Sequence, residues 1–140
     1  MKVHAYDAGT NQLSWKIRSD PRVLSREKLN CRYLTKKDID DQIDLIVIDV
    51  SFISLTKILP AAYDVSSLNC SIITLIKPQF ELSRDEVSKG GIVKDQELHQ
   101  KSVSKIVNYA TSELELIHAG TTNSPITGTG GNVEFLAHFI

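Results

Sequence analysis

The chain has 140 residues, a mass of 15.6 kDa and a net charge of -1, the size of one globular domain. Its 41% hydrophobic and 24% charged residues exclude a disordered chain, and its longest apolar stretches, Leu45–Val50 and Ile72–Ile76, are far shorter than the roughly 20 residues of a membrane-spanning helix. Met1 leads into a strand pattern instead of the apolar region of a signal peptide, so we expect a cytoplasmic protein.

The first third of the chain predicts two short strands around one helix. Strand patterns at Val3–Tyr6 and Val23–Arg26 flank a helix that we expect from Asn11 to Arg18. Positive charge is concentrated here, with only Asp20 and Glu27 to oppose it. The basic residues are Lys16, Arg18, Arg22, Arg26, Lys28, Arg32, Lys36 and Lys37. They indicate either a local contact with a polyanion or a solvated helix face and loop, since the chain as a whole is not basic.

The middle of the chain alternates strand and helix patterns. Apolar runs rich in β-branched residues, Leu45–Val50 and Ser71–Ile76, are typical of parallel strands that are covered on both faces. Apolar residues recur at helical spacing over Leu55–Ala62 and Gln96–Glu113. This order of elements predicts an α/β fold. The polar stretch Pro78–Asp95 is long for a connection, and loops of that length are commonly functional.

The end of the chain predicts an antiparallel hairpin. Residues Leu114–Ala119 and Val133–Phe139 alternate in the manner of strands on either side of the glycine-rich turn Ser124–Asn132. Cys31 and Cys70 have no metal-ligand spacing, so we expect reduced, packed thiols and no metal site.

Three polar residues occupy positions that favour a functional site. Asp49 ends the first apolar run and Lys77 ends the second, and ligands of parallel sheets bind outside the carboxyl ends of the strands. Glu134 lies among apolar residues of the last strand, where an unpaired carboxylate is costly. Each also has a simpler interpretation: Asp49 could cap a helix near Ser51, Lys77 could be a surface lysine, and Glu134 could be exposed on an edge.

Four segments around these residues carry a family resemblance. They are Ile48–Leu55 (IDVSFISL), Ile76–Glu81 (IKPQFE), Lys89–Asp95 (KGGIVKD), and Ser124–Gly128 with Gly131–Phe135 (SPITG and GNVEF). In order and spacing they resemble the TlyA (hemolysin A) family of FtsJ-like ribosomal RNA methyltransferases, and the likeness covers nearly the whole chain.

The resemblance implies a Rossmann-like class I methyltransferase sheet, mostly parallel with a C-terminal antiparallel hairpin. It implies S-adenosylmethionine as cofactor, ribosomal RNA or ribosomal subunits as partners, and ribose 2′-hydroxyls, those of cytidine in this family, as methyl acceptors. The last three members of the family's Lys-Asp-Lys-Glu tetrad correspond to Asp49, Lys77 and Glu134. Lys77 would position or deprotonate the hydroxyl, and the two carboxylates would hold its ammonium group.

The resemblance also implies cofactor-binding residues. Asp7, at the end of the first strand, would accept hydrogen bonds from the ribose hydroxyls of the cofactor, as acidic residues do in dinucleotide folds. Asn30 would lie near the adenine, and Asp49 would take part in cofactor binding as well. The alternative for Asp7 is a helix cap beside Thr10 and Asn11.

The sequence starts at the second strand of the family's pattern, so we expect a partial methyltransferase domain over residues 1–140. Relatives carry an S4-type RNA-binding domain, the first tetrad lysine and a first strand with a glycine-rich turn ahead of this point. In the family's strand order, 3-2-1-4-5-7-6, the first strand lies between Val3–Tyr6 and Leu45–Val50. We expect these strands to close up, or a second copy of the chain to cover the gap in a homo-oligomer, or the domain to be marginally stable.

Three other functions remain as alternatives. One is a non-catalytic remnant that binds RNA or a partner subunit through the basic segment. Membrane lysis, suggested by the hemolysin name, is opposed by short helix patterns without a strongly basic face. A dinucleotide oxidoreductase is opposed by the lack of a G-x-G-x-x-G motif.

Overall fold

The computed structural model describes all of residues 1–140, and its strands form two separate sheets. The first sheet pairs β1 (Val3–Tyr6) with β2 (Val23–Arg26) in parallel. A single helical turn, α1 (Trp15–Arg18), lies between the two strands in the chain. Both strands have the bounds that the sequence predicts.

The second sheet has four strands in the order β3-β4-β6-β5. Its members are β3 (Leu45–Ile48), β4 (Ser71–Ile76), β5 (His118–Asn123) and β6 (Phe135–Phe139). Strands β3 and β4 are parallel, whereas β6 runs antiparallel to both of its neighbours. The expected α/β architecture with a C-terminal antiparallel hairpin is therefore confirmed.

The core belongs to the second sheet and its helices, α2 (Leu59–Val65), α3 (Pro78–Glu81) and α4 (Gln96–Glu113). Helix α4 packs on β4, β5 and β6, because Val103, Ile106 and Ala110 recur at helical spacing and form its buried face. No residue before Ile39 is buried. Cys70 is buried and Cys31 is half-buried, and both are free thiols.

Helix α1 is shorter than the sequence predicts. The expected start at Asn11 is wrong, because Asn11 adopts a left-handed backbone with a φ of 57° and Ser14 is extended, so that the helix begins at Trp15. A side chain of the Asn type tolerates this left-handed conformation better than most residues do.

Strand β5 is displaced from the expected Leu114–Ala119. Glu115 has a left-handed φ of 55°, and the N–H of Leu116 donates to the carbonyl of Ala110, so these residues close the end of α4 instead of extending a strand. Leu116 is buried in the core. The alternation at Leu114–Leu116 therefore reflects the packing of a helix end.

Other boundaries differ by smaller amounts. Strand β3 ends at Ile48 instead of Val50, and β6 begins at Phe135 instead of Val133. The predicted loop after Ile76 begins with α3, for which Pro78 supplies a first helical residue that needs no hydrogen-bond acceptor. The predicted helix at Leu55 begins as a 3₁₀ turn and continues as α2.

The two sheets share no backbone ladder. Strand β1 pairs only with β2, and β3 pairs only with β4. The expectation that β1 and β3 close up against each other is therefore wrong, and β3 remains an edge strand. Each sheet nevertheless presents the carboxyl ends of a parallel strand pair.

Candidate functional site

Lys77 and Asp49 meet at the carboxyl ends of β4 and β3. The parallel register pairs Ile48 with Thr74, and each functional residue follows directly on its strand. Lys77 Nζ lies 2.6 Å from Asp49 Oδ1 and donates a hydrogen bond of 3.1 Å to Ser51 Oγ. This contact brings together two of the three residues that the sequence analysis singled out.

Burial decides between the interpretations of Lys77. Its side chain is only 13% exposed, whereas the side chain of Asp49 is 64% exposed. Lys77 is therefore not an ordinary surface lysine. Asp49 does not cap a helix, because the 3₁₀ turn after β3 is capped by Ser54, whose Oγ accepts from the N–H of Thr56. An ammonium group with fixed partners thus faces an accessible carboxylate.

Glu134 is buried near the same strand end. Its residue is 6% exposed, so the interpretation as an exposed edge residue is wrong. The antiparallel register pairs Ile76 with Phe135, which brings the residues next to them, Lys77 and Glu134, onto adjacent strand ends. Glu134 Oε1 accepts a hydrogen bond of 3.4 Å from Gln79 Nε2.

The expected direct contact between Lys77 and Glu134 is absent. No oxygen of Glu134 lies within 4.0 Å of Lys77 Nζ, whose one carboxylate partner is Asp49. The side chain of Gln79 takes the position of hydrogen-bond partner to Glu134, and its own Oε1 is buried without a partner. Sequence analysis did not single out Gln79, although it lies within the IKPQFE segment.

Phe52 is a second residue that the sequence analysis did not single out. It is 91% exposed, its backbone is left-handed with a φ of 62°, and its ring lies 5.0 Å from that of Phe80. It directly follows Ser51, the hydroxyl partner of Lys77. Strained left-handed backbone in a bulky residue is found most often at functional sites. The sequence signal was hidden because an aromatic residue after an apolar strand pattern is usually part of the core.

The carboxyl ends of β1 and β2 bring Asp7 and Asn30 into neighbouring turns. Asp7 Oδ1 accepts from the N–H of Gly9 at 2.6 Å, which makes a local turn and not the helix cap considered above. Asn30 Oδ1 accepts from the N–H of Arg32 and caps a short 3₁₀ turn that begins at Cys31. Neither residue contacts Lys77 or its partners through a hydrogen bond.

The pKa of the Cys31 thiol depends on the charge of Asp7. Burial, and then the negative charge of Asp7, raise the pKa of the Cys31 thiol. The turns after β1 and β2 are therefore close enough for a carboxylate on one to affect a thiol on the other.

The whole chain, residues 1–140, matches the family described as FtsJ-like methyltransferase. The chain belongs to the FtsJ-like methyltransferase family. It is 46% identical to hemolysin A of Brachyspira hyodysenteriae over 99% of the chain and 58% of that protein. It is 43% identical to the 16S/23S rRNA (cytidine-2′-O)-methyltransferase TlyA of Mycobacterium tuberculosis over 95% of the chain and 49% of that protein.

A crystal structure of a hemolysin candidate from Lactococcus lactis superimposes on this FtsJ-like chain with a TM-score of 0.95 and 46% identity. The alignment covers 99% of the chain and 66% of the Lactococcus protein. The chain spans about half the length of the curated relatives it matches.

The basic segment of this FtsJ-like chain lies at the surface. Arg18 pairs with Glu27 at 3.7 Å and Arg22 pairs with Asp20 at 2.7 Å, while the other six basic residues have no carboxylate within 4 Å. Exposed Trp15 and Tyr33 lie within the segment, each under a neighbouring arginine, Arg18 and Arg32 respectively. Unpaired cations interleaved with exposed aromatic rings suit a polyanion that also offers stacking surfaces.

The FtsJ-like chain has neither a candidate metal site nor a candidate membrane-spanning helix. No cluster of three or more His, Cys, Asp or Glu side chains could hold a metal ion. None of its helices combines the length and the apolar character that crossing a membrane requires.

Proposed function

We propose that this chain is the catalytic half of an S-adenosylmethionine-dependent methyltransferase that acts on ribose 2′-hydroxyls of ribosomal RNA in the cytoplasm, with cytidine as the target nucleoside. The single observation that carries the proposal is the ion pair between Lys77 and Asp49 at adjacent strand ends, with Ser51 as the third member. Its chemistry suits a ribose hydroxyl, and the family match supports methyl transfer.

The arrangement around Lys77 leaves one donor for a substrate. A lysine ammonium group carries three N–H donors. Asp49 and Ser51 engage two of them, so that one remains for the oxygen of a ribose hydroxyl. Because the ammonium group is held before the substrate arrives, the hydroxyl would be oriented at little entropic cost. Positioning of this kind accounts for much of the rate enhancement in transfer reactions.

Glu134 supports the proposal through its incomplete pairing. A buried carboxylate requires charged or hydrogen-bonding partners, and Gln79 supplies only one long hydrogen bond. We assign Glu134 a role in aligning the ribose beside Lys77, which agrees with its place next to Lys77 across the strand pair. Asp49 would hold the ammonium group from the other strand.

The residues present also fit the cofactor. S-adenosylmethionine, when bound, supplies an electrophilic methyl group. Asp7 uses one carboxylate oxygen for the N–H of Gly9, and its exposed side chain can accept hydrogen bonds from ribose hydroxyls with the other. We assign Asn30, in the neighbouring turn, to the adenine, and Asp49 to the cofactor side of the Lys77 pair.

RNA would contact two surfaces of the chain. The basic segment Lys16–Lys37 supplies six unpaired cations for phosphate groups. Phe52 exposes its ring next to Ser51, so a nucleobase could stack there while its ribose approaches Lys77.

The test is methyl transfer from labelled S-adenosylmethionine to ribosomal subunits that lack 2′-O-methylation. We expect wild-type protein to label ribose hydroxyls and Lys77→Ala to lower the rate by about 100-fold or more, because the positioned amine is lost. Calorimetric titration with the cofactor should give nearly the same affinity for both proteins. Lys101→Ala is the matched control, since Lys101 pairs with Glu86 outside the site.

The proposal fails if wild-type protein transfers no methyl group, or if Lys77→Ala retains full activity. A second candidate function is RNA or subunit binding without catalysis. It is favoured by the separation of the two sheets, because the Asp7 edge and the Lys77 edge share no backbone ladder. Absence of heat with millimolar cofactor, together with retained RNA binding, would support this second candidate.

A further inference from the structure

We propose that Glu81 is a positioning residue that fixes the segment 51–54 against Lys77. Hydrogen bonds to the buried carboxylate of Glu81 connect the chain after β3 to helix α3. These hydrogen bonds keep Ser51 and Phe52 in place beside the Lys77 amine. Its consequence for catalysis rests on the function proposed above, whereas its structural effect can be measured without any activity.

Three donors converge on the Glu81 carboxylate. Ser54 Oγ donates to Oε2 at 2.5 Å, and the N–H of Leu55 donates to Oε1 at 2.8 Å. Lys105 Nζ, from α4, lies 3.1 Å from Oε2 and also donates to the backbone carbonyl of Glu81. The Glu81 side chain is only 2% exposed, so these contacts replace its hydration.

The Glu81 hydrogen bonds and the proposed site connect the same two chain segments, the one after β3 and the one after β4. Helix α3 is a single turn, with Lys77 immediately before it and Glu81 at its end. Lys77 holds Asp49 and Ser51, and Glu81 holds Ser54 and the N–H of Leu55. The short segment 51–54 is therefore fastened at both ends to one turn of helix.

The segment 51–54 requires anchors at both ends because its backbone is strained. Phe52 has a left-handed φ of 62°, a conformation that costs free energy in a bulky residue and persists only where the surroundings enforce it. Glu81 enforces it from one side through Ser54 and Leu55, and the Lys77 contact to Ser51 does so from the other. Loss of the Glu81 carboxylate would release one of the two anchors.

Glu86 provides a matched control within the same loop. It is also a carboxylate paired with a lysine of α4, Lys101, and it accepts from Ser83. It makes no hydrogen bond or ion pair with residues 49–55. Glu86→Gln therefore removes a comparable pair between the loop and α4 without touching the segment.

The experiment compares Glu81→Gln, Ser54→Ala and Glu86→Gln with the wild-type chain by two measurements. Hydrogen exchange reports on residues 50–56, and acylation of lysine side chains, followed by peptide mass spectrometry, reports on how firmly Lys77 is held. We expect about tenfold faster exchange of the Leu55 amide and faster Lys77 acylation in Glu81→Gln, with no change outside residues 50–56. Ser54→Ala should change both in the same direction by less, and Glu86→Gln should match the wild type.

Two results would overturn the proposal. One is that hydrogen exchange and Lys77 acylation proceed at wild-type rates in both Ser54→Ala and Glu81→Gln. The other is faster exchange spread evenly over the chain, which would mean that Glu81 stabilises the domain without positioning the segment. If Glu81→Gln fails to fold, Lys77 acylation in Ser54→Ala decides. This substitution leaves the Glu81–Lys105 pair intact, and the lost cap by itself frees only the N–H of Thr56.

Methyl transfer separates this proposal from the proposed function. Where the wild-type chain is active, Glu81→Gln should lower kcat at least tenfold with unchanged affinity for the cofactor, because the segment near Lys77 is displaced while the Asp7 edge is not. Where the wild-type chain is inactive, the proposed function fails, and exchange and acylation still decide the role of Glu81.

Discussion

Gly128, which has no Cβ atom, leaves the space that the Glu134 carboxylate occupies. A Cβ atom built at Gly128 would overlap the Glu134 carboxyl group, with Cδ at 2.6 Å. The φ of Gly128 is -76°, which any residue can adopt, so the requirement for glycine comes from this close approach. The glycine-rich turn before β6 therefore leaves space for a buried acid.

We expect Gly128→Ala to lower the free energy of unfolding by about 1–3 kcal/mol, since either the Glu134 side chain or the turn must move. Thermal unfolding followed by circular dichroism measures the change. Gly120→Ala is the matched control, because a Cβ there meets no atom within 4 Å, and we expect it to stay within about 0.5 kcal/mol of the wild type. Equal midpoints for the two variants would contradict the close approach.

Strands β1 and β2 act as one element that places two turns side by side. Their parallel register brings Tyr6 opposite Arg26, so that Asp7 follows one strand while Asn30 and Cys31 lie a few residues beyond the other. Because the two turns are close together, the negative charge of Asp7 contributes to the raised pKa of the Cys31 thiol. The proposed cofactor edge is thus formed by strand pairing.

Asp7→Asn should increase the rate of Cys31 alkylation by iodoacetamide at pH 8 about twofold or more, because removal of the negative charge lowers the pKa of the thiol and the thiolate is the reactive form. Mass spectrometry of the Cys31 peptide measures the rate. Cys70 is an internal control, since burial is the main cause of its raised pKa and Asp44, not Asp7, is the carboxylate near it. An unchanged ratio of the two rates would contradict the proximity of Asp7 and Cys31.

The elements themselves could be predicted where local patterns were strong. The bounds of β1, β2, β4 and α4 were correct, because uninterrupted periodicity of apolar residues matches the geometry of the element. Errors occurred where single residues adopt left-handed backbone, as at Asn11 and Glu115. Asn tolerates this conformation without requiring it, and Glu adopts it rarely, so the sequence predicts it at neither position.

At the scale of the whole molecule, the two sheets differ in how they are stabilised. The four-stranded sheet and its helices contain the hydrophobic core, which includes Ile72, Ile106 and Phe139. The two-stranded sheet contributes no buried residue, and two strands alone are marginally stable in water. The molecule therefore combines a well-packed unit with a weakly held N-terminal segment.

Hydrogen exchange should show this difference in the wild-type chain. We expect amides of β4, which has a strand on each side, to exchange most slowly, those of the edge strand β3 faster, and those of β1 and β2 fastest. The gap between β4 and β1 should exceed about tenfold, since opening of the first sheet exposes no buried side chain. Uniform protection across all strands would contradict two units of unequal stability.

The sequence by itself determined the family, the α/β order of elements, and the placement of Asp49 and Lys77 at adjacent strand ends. These features follow from contiguous motifs and from the rule that parallel strands present their carboxyl ends together. Only the tertiary structure decided that Glu134 bonds Gln79 instead of Lys77, that Phe52 is exposed, that Glu81 anchors Ser54, and that β1 and β3 remain unpaired. The physical reason is that these outcomes depend on side chains and strand edges distant in the chain, whose packing no local pattern encodes.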